Sequence, residues 1–106
     1  MVLTTTNSIE GKTISNYLGI VTGTIYTATI SHKGMSFKDM FSSQKTYEAY
    51  EKSLEVAKED AFQKLKSNAV RMKANAVVGI SVDIETVPSS MISVVSVVGT
   101  AVVVEQ

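Results

Sequence analysis

The chain has 106 residues, with ten basic residues, ten acidic residues, one histidine and no cysteine. This length predicts a single domain over residues 1–106, and a hydrophobic content of 44% is typical of a globular protein. The balanced charge gives no general attraction to nucleic acid or to an anionic membrane, and the absence of cysteine excludes disulfide-linked partners, thiolate metal sites and cysteine nucleophiles.

The first 30 residues are rich in Thr, Ile, Val and Gly, which is typical of strands. A turn at Glu10-Gly11-Lys12 is predicted to separate a short first strand from a longer strand at about 13–28. The N-terminus lacks a basic start followed by an apolar run, so we predict no signal peptide. No apolar stretch is long enough to span a bilayer, and the interpretation is a soluble cytoplasmic protein.

Residues 31–45 form a polar connector. Ser36 and Asp39 stand three apart, as in a capping box, and Phe37, Met40 and Phe41 would share one face of a short helix. His32 also lies in this connector and is the single histidine of the chain. A Ser-His-Asp triad would have to use it, and one histidine without cysteine makes a tight zinc site from one chain improbable.

Residues 46–74 show the clearest helical pattern in the chain. Apolar residues recur at steps of three and four and form one stripe, namely Tyr47, Tyr50, Leu54, Ala57, Ala61, Leu65, Ala69 and Met72. Asn75 is the predicted C′ residue beyond the helix end. A helix of about 29 residues is ~43 Å long, so it must overhang its own domain or pack on a neighbouring subunit.

Residues 76–104 are predicted to form two strands joined at Pro88-Ser89-Ser90, as an antiparallel hairpin. In the first strand, the helix stripe is expected to cover one face, made of Val78, Ile80, Val82 and Ile84. The second strand, over residues 91–104, is apolar on both faces, so both faces should be buried. One helix covers one face of a small sheet, and a homo-oligomer would cover the other.

Asp83 and Glu85 alternate with these apolar residues and point to the opposite face of the first strand. The favoured interpretation is that they line a solvated sheet face. A second interpretation is that the carboxylate pair binds Ca²⁺ or Mg²⁺, which need further oxygen ligands. A third interpretation is acid/base catalysis. Asp83, Glu85 and His32 are the candidate residues for a divalent metal; no other cofactor is predicted.

Four segments together resemble the YbjQ-like family of small bacterial proteins that carry a heavy-metal-binding label. They are GIVTGT (19–24), YEKSLEVAKEDAFQKL (50–65), ANAVVGISVDIET (74–86) and VSVVGTAVVV (95–104). The resemblance runs from Thr4 to Val104 and implies a two-layer α+β subunit of dodecin-subunit type, β-α-β-β, with one long helix on an antiparallel sheet. It also implies a pentameric ring, no established activity and no catalytic residues.

This chain departs from that family at two places. Ser42-Ser43-Gln44 stand where Gly-Gly-Arg is usual, and Lys73 replaces a glycine that is common at the helix end.

Three functions follow as hypotheses. The first is a homo-oligomeric, pentameric binding or scaffold protein with sites at subunit interfaces. The second is a metal-binding protein. The third is a hydrolase or lyase whose site is assembled across subunits.

Overall fold

A computed structural model describes residues 1–28, 43–87 and 92–106. The described elements are β1 (Val2–Leu3), β2 (Thr13–Ala28), α1 (Ser43–Arg71), β3 (Ala76–Val87) and β4 (Ile92–Glu105). The predicted α+β fold is confirmed, because α1 packs on one four-stranded sheet of order β1-β3-β4-β2. The β2–β4 and β3–β4 pairs are antiparallel, and the two-residue β1 adds one parallel pair with β3. The predicted short connector helix and the turn at residues 88–90 lie outside the described residues.

The helix lies three residues nearer the N-terminus than the predicted range at both of its ends. It ends in a Schellman motif, in which the Ala74 N–H donates to the Ala69 carbonyl at 3.0 Å and the Lys73 N–H to the Val70 carbonyl at 2.9 Å. Lys73, not Asn75, is therefore the C′ residue, and its φ of 68° is the left-handed conformation that favours glycine. This backbone geometry explains why a glycine suits the position.

Asn75 has a different role, at the start of the β3–β4 pairing. Its side-chain amide donates to the Val104 carbonyl at 3.0 Å, and its side-chain oxygen accepts from the Val104 N–H at 2.8 Å. The amide thus imitates one backbone pair of a β-ladder and fixes where the chain enters the sheet.

Small residues let α1 lie directly on β2. Ala57, Ala61, Leu65 and Ala69 are buried in the main core, as the stripe predicts. At Gly23 the two backbones approach so closely that a Cβ atom would lie 2.7 Å from the Leu65 nitrogen and closer still to the Ala61 carbonyl oxygen. Two side chains of α1 also reach β2: the Asn68 amide donates to the Thr22 carbonyl at 2.8 Å, and the Lys64 ammonium to the Thr24 carbonyl at 3.2 Å.

This close approach holds α1 over β2 and β4, and leaves the end of β3 uncovered. Val82 is 42% exposed and Ile84 is 40% exposed. Their partners on β4, Val97 and Val95, are fully buried. The prediction that Val82 and Ile84 pack beneath the helix stripe is therefore wrong. Val82 and Ile84 do lie on the face that α1 covers, but α1 is displaced laterally toward β2 and β4 and does not extend over this part of β3.

A β-bulge at Gly79 also corrects the predicted alternation along β3. Gly79 has a φ of 62°, and the register with β4 shifts between Val78 and Ser81. Val77 and Ile80 consequently join the core beneath the helix, whereas Val78 belongs to a second cluster on the opposite face. Strict alternation begins only at Ser81, because the bulge inserts one extra residue.

The N-terminal segment supports the bulge and covers one end of the open sheet face, which is the face away from α1. The Thr6 carbonyl accepts from the Gly79 N–H at 2.8 Å, and the Thr4 carbonyl from the Ile80 N–H at 3.1 Å. Ile9 packs on the second cluster, which is formed by Ala76, Val78, Val102 and Val104. The rest of the open face has no such cover from the described residues.

The resulting chain is elongated. Its radius of gyration is 17.3 Å and its extents are 56 × 24 × 18 Å, whereas a compact domain of this length has a radius of gyration of about 13 Å. None of the helical residues in the described ranges forms a segment that is both long and apolar enough to cross a bilayer.

Candidate functional site

Asp83 and Glu85 lie on the open sheet face, as the alternation predicts. Both are exposed, and they stand opposite Ser96 and Val94 of β4. Two carboxylates with this spacing supply at most a few oxygen ligands to a hard cation, which takes six to eight ligands in the case of Ca²⁺. The remaining ligands would have to come from water or from another molecule.

The described residues offer no larger metal-binding set. Within residues 1–28, 43–87 and 92–106, no group of three or more His, Cys, Asp or Glu side chains comes together. His32 lies outside these ranges, and the sequence has no cysteine. Soft heavy metals prefer thiolate and imidazole ligands, so the described side chains do not fit such a metal.

A cluster of three hydroxyl groups lies on the helix side of the sheet, near the end of the β3–β4 hairpin. The Tyr50 hydroxyl lies 3.2 Å from the Ser93 hydroxyl and 3.3 Å from the Thr86 hydroxyl, and the last two are 3.3 Å apart. Ser93 is fully buried, so these hydrogen bonds offset the cost of removing its hydroxyl from water. The hydrogen bond with Ser93, and then that with Thr86, lower the pKa of Tyr50, while burial acts weakly in the opposite direction.

This hydroxyl cluster ties the first half of α1 to both strands of the hairpin. A closed triangle of hydroxyl groups satisfies one donor and one acceptor on each oxygen, which explains a polar residue in an otherwise apolar layer. The sequence carried a signal for it, since Ser93 interrupts the apolar face of β4 that continues with Val95 and Val97. The partners were not predicted, because Tyr50 lies 43 residues before Ser93 along the chain.

The open face also exposes large side chains on β2. Tyr17 is 67% exposed, Ile20 is 75% exposed and Tyr26 is 71% exposed. Thr22 and Thr24 lie between Ile20 and Tyr26 on the same face. Val98 of β4 stands opposite Thr22. Large exposed apolar side chains that share one sheet face mark an interaction surface on a small protein. We call this set, Tyr17, Ile20, Tyr26 and Val98, the β2 patch.

Comparison with known proteins places these features in a family. A family model with the description "Putative heavy-metal-binding" matches residues 1–105. A curated relative, a "UPF0145 protein" from Clostridium kluyveri, is 39% identical over 108 residues. The alignment covers 99% of this chain and 100% of the relative. A crystal structure of a DUF74-family protein of unknown function from Pediococcus pentosaceus shares the fold, with a TM-score of 0.65, 21% identity and coverage of 99% of this chain and 98% of that one. The chain therefore belongs to the YbjQ family, in agreement with the four sequence segments that resemble it.

Proposed function

We propose that the protein acts as a homo-oligomeric binding or scaffold protein, in which the β2 patch is covered by another copy of the chain. The observation that carries this proposal is the exposure of Tyr17, Ile20 and Tyr26 on a sheet face that α1 does not cover. A monomer that left these side chains in water would forgo the free energy of burying them, about 25 cal/mol per Å² of apolar area.

The total surface supports the same proposal. A compact monomer of 11.4 kDa exposes about 5,800 Å², and this chain exposes 7015 Å². The excess is larger than the roughly 800 Å² that each partner buries in an interface of standard size. A pentamer is the expected number of subunits, on the family resemblance alone, and the cytoplasm is the expected location.

Light scattering is expected to give five times the mass of one 11.4 kDa chain. Ile20→Lys should lower that mass, because it would place a charge in the middle of an apolar contact. Val70→Lys is the matched control, since Val70 is an exposed valine on α1, away from the β2 patch. A wild-type mass of one chain would refute self-assembly, and an unchanged mass for Ile20→Lys would exclude the β2 patch as the interface.

The second candidate function is metal binding, which the family description suggests. The described side chains of this chain offer few ligands for it. We expect Ca²⁺, Mg²⁺ and Zn²⁺ to shift the melting temperature of the wild type no more than that of the Asp83→Asn, Glu85→Gln double variant. The reason is that two exposed carboxylates form an incomplete ligand set. Melting curves of both proteins with and without each ion test this. Stabilisation by an ion only when both carboxylates are present would establish a metal site there.

A further inference from the structure

The two edge positions of the sheet differ in how they are covered. Along β2, α1 donates side-chain hydrogen bonds to the carbonyl groups of Thr22 and Thr24. Along β3, β1 pairs with Ala76 and Val77, and the following N-terminal residues bind Gly79 and Ile80. Over Ser81–Thr86, no strand among the described residues pairs with the outer side of β3. An uncovered edge of this kind is a template for another strand.

The side chains of this edge alternate between two chemistries. Val82 and Ile84 lie on the helix side and are about two-fifths exposed, because α1 is displaced toward β2 and β4 and does not cover them. Asp83 and Glu85 lie on the open face and are exposed. The edge therefore carries an apolar strip that favours pairing and, on its other face, two negative charges.

The strand is self-complementary on its apolar side. If two copies paired antiparallel about Ile84, the two Ile84 side chains would stand opposite each other and Val82 would face Thr86 of the second copy. In the same register, Asp83 of each copy would face Glu85 of the other. Like charges directly opposite each other destabilise a strand pair. The described strands contain no Lys or Arg that would neutralise these four carboxylates.

We propose that Asp83 and Glu85 prevent the β3 edge from pairing with the β3 edge of a second copy of this chain. The carboxylates act as a charge barrier on an edge whose backbone and apolar strip otherwise favour pairing. Charged side chains on edge strands are a general means of preventing edge-to-edge association. This role is independent of the β2 patch, which lies at the opposite side of the open face.

The Asp83→Asn, Glu85→Gln double variant tests the barrier, because both changes remove charge with little change of shape. Light scattering of the full-length protein is expected to show a species of at least twice the mass of the wild-type assembly. The control is Glu55→Gln with Asp60→Asn on the exposed surface of α1, which removes the same two charges elsewhere. The control should keep the wild-type mass, since net charge further from zero opposes association.

Two further measurements identify the β3 edge as the surface involved. Adding Ile84→Lys to the double variant restores a charge to the edge and should return the mass to that of the wild type. High salt should promote association of the wild type, because at about 1 M salt the Debye length falls to ~3 Å and the repulsion between the carboxylates of the two edges is screened. The inference is overturned if the double variant keeps the wild-type mass, or if the α1 control associates equally. The mass of the wild type alone decides the proposed self-assembly, so the two proposals fail separately.

Discussion

Gly23→Ala is expected to destabilise the protein by about 3 kcal/mol or more, at or beyond the upper end of the usual cost of overpacking. The added methyl group would meet the backbone of α1 at Ala61 and Leu65, and the Val97 side chain at 3.2 Å. A flexible side chain can turn away from such a contact, whereas a helix backbone can only move as a whole. Moving α1 away from β2 would also loosen the contacts of Ala57 and Ala61 with the sheet.

The measurement is the free energy of unfolding from urea denaturation, at one fixed protein concentration because assembly would make stability depend on concentration. Gly11→Ala is the matched control. Gly11 has open space around its Cβ position but a φ of 79°, so its substitution tests backbone strain alone, at roughly 1–2 kcal/mol. A smaller loss for Gly23→Ala than for Gly11→Ala would show that α1 yields easily and would contradict the close packing.

Leu65→Ala is expected to lower the free energy of unfolding by about 2–5 kcal/mol, through lost transfer energy and the cavity left behind. Leu65 is fully buried, and it is the largest side chain of the buried stripe on α1. Its neighbours along the stripe are alanines, which are too short to fill the space that it would leave. The cavity would open between α1 and β2, where the backbones already lie close together.

Val70→Ala on the same helix is the control, because Val70 is 57% exposed. It should change stability by no more than about 0.5 kcal/mol, as is usual for surface sites. Both variants should keep their helical content by circular dichroism before unfolding. Equal losses for the two variants would contradict the burial of Leu65 as the source of its stabilising effect, since alanine has a higher helix propensity than leucine or valine.

Composition and local periodicity predicted most of the fold. The period of α1 is repeated over many residues, and β2 and β4 are long runs of strand-forming residues, so their type and their approximate bounds could be read directly. The short N-terminal strand and the hairpin followed from turn residues, and the exposed position of Asp83 and Glu85 followed from alternation. The family resemblance then gave the two-layer arrangement, and the comparisons confirm the family.

The errors arose where one residue changed a local pattern. The bulge at Gly79 shifted Val78 to the opposite face, and a glycine within a strand does not reveal by itself whether it is bulged. Lys73 took the left-handed position because it completes the Schellman motif, although a lysine there is not expected from propensity. Neither correction changes the fold class.

The other corrections depended on contacts distant in sequence. The lateral position of α1 is set by its approach to Gly23, and this left Val82 and Ile84 exposed. The hydroxyl cluster joins Tyr50 with two residues of the hairpin, which no pattern within α1 could indicate. The role of His32 stays a prediction, because that residue lies outside the described ranges.

The order of the strands has a consequence for synthesis on the ribosome. β4 is the last strand in chain order, yet it lies between β3 and β2, and its pairing with β2 joins Thr13 to Glu105. The sheet therefore cannot close until β4 has emerged from the ribosome. Until then β2 has no partner in the sheet and the helix stripe of α1 lacks the β4 part of its packing surface, so the nascent chain exposes apolar segments that chaperones bind. Slow translation of β4 would prolong that exposure.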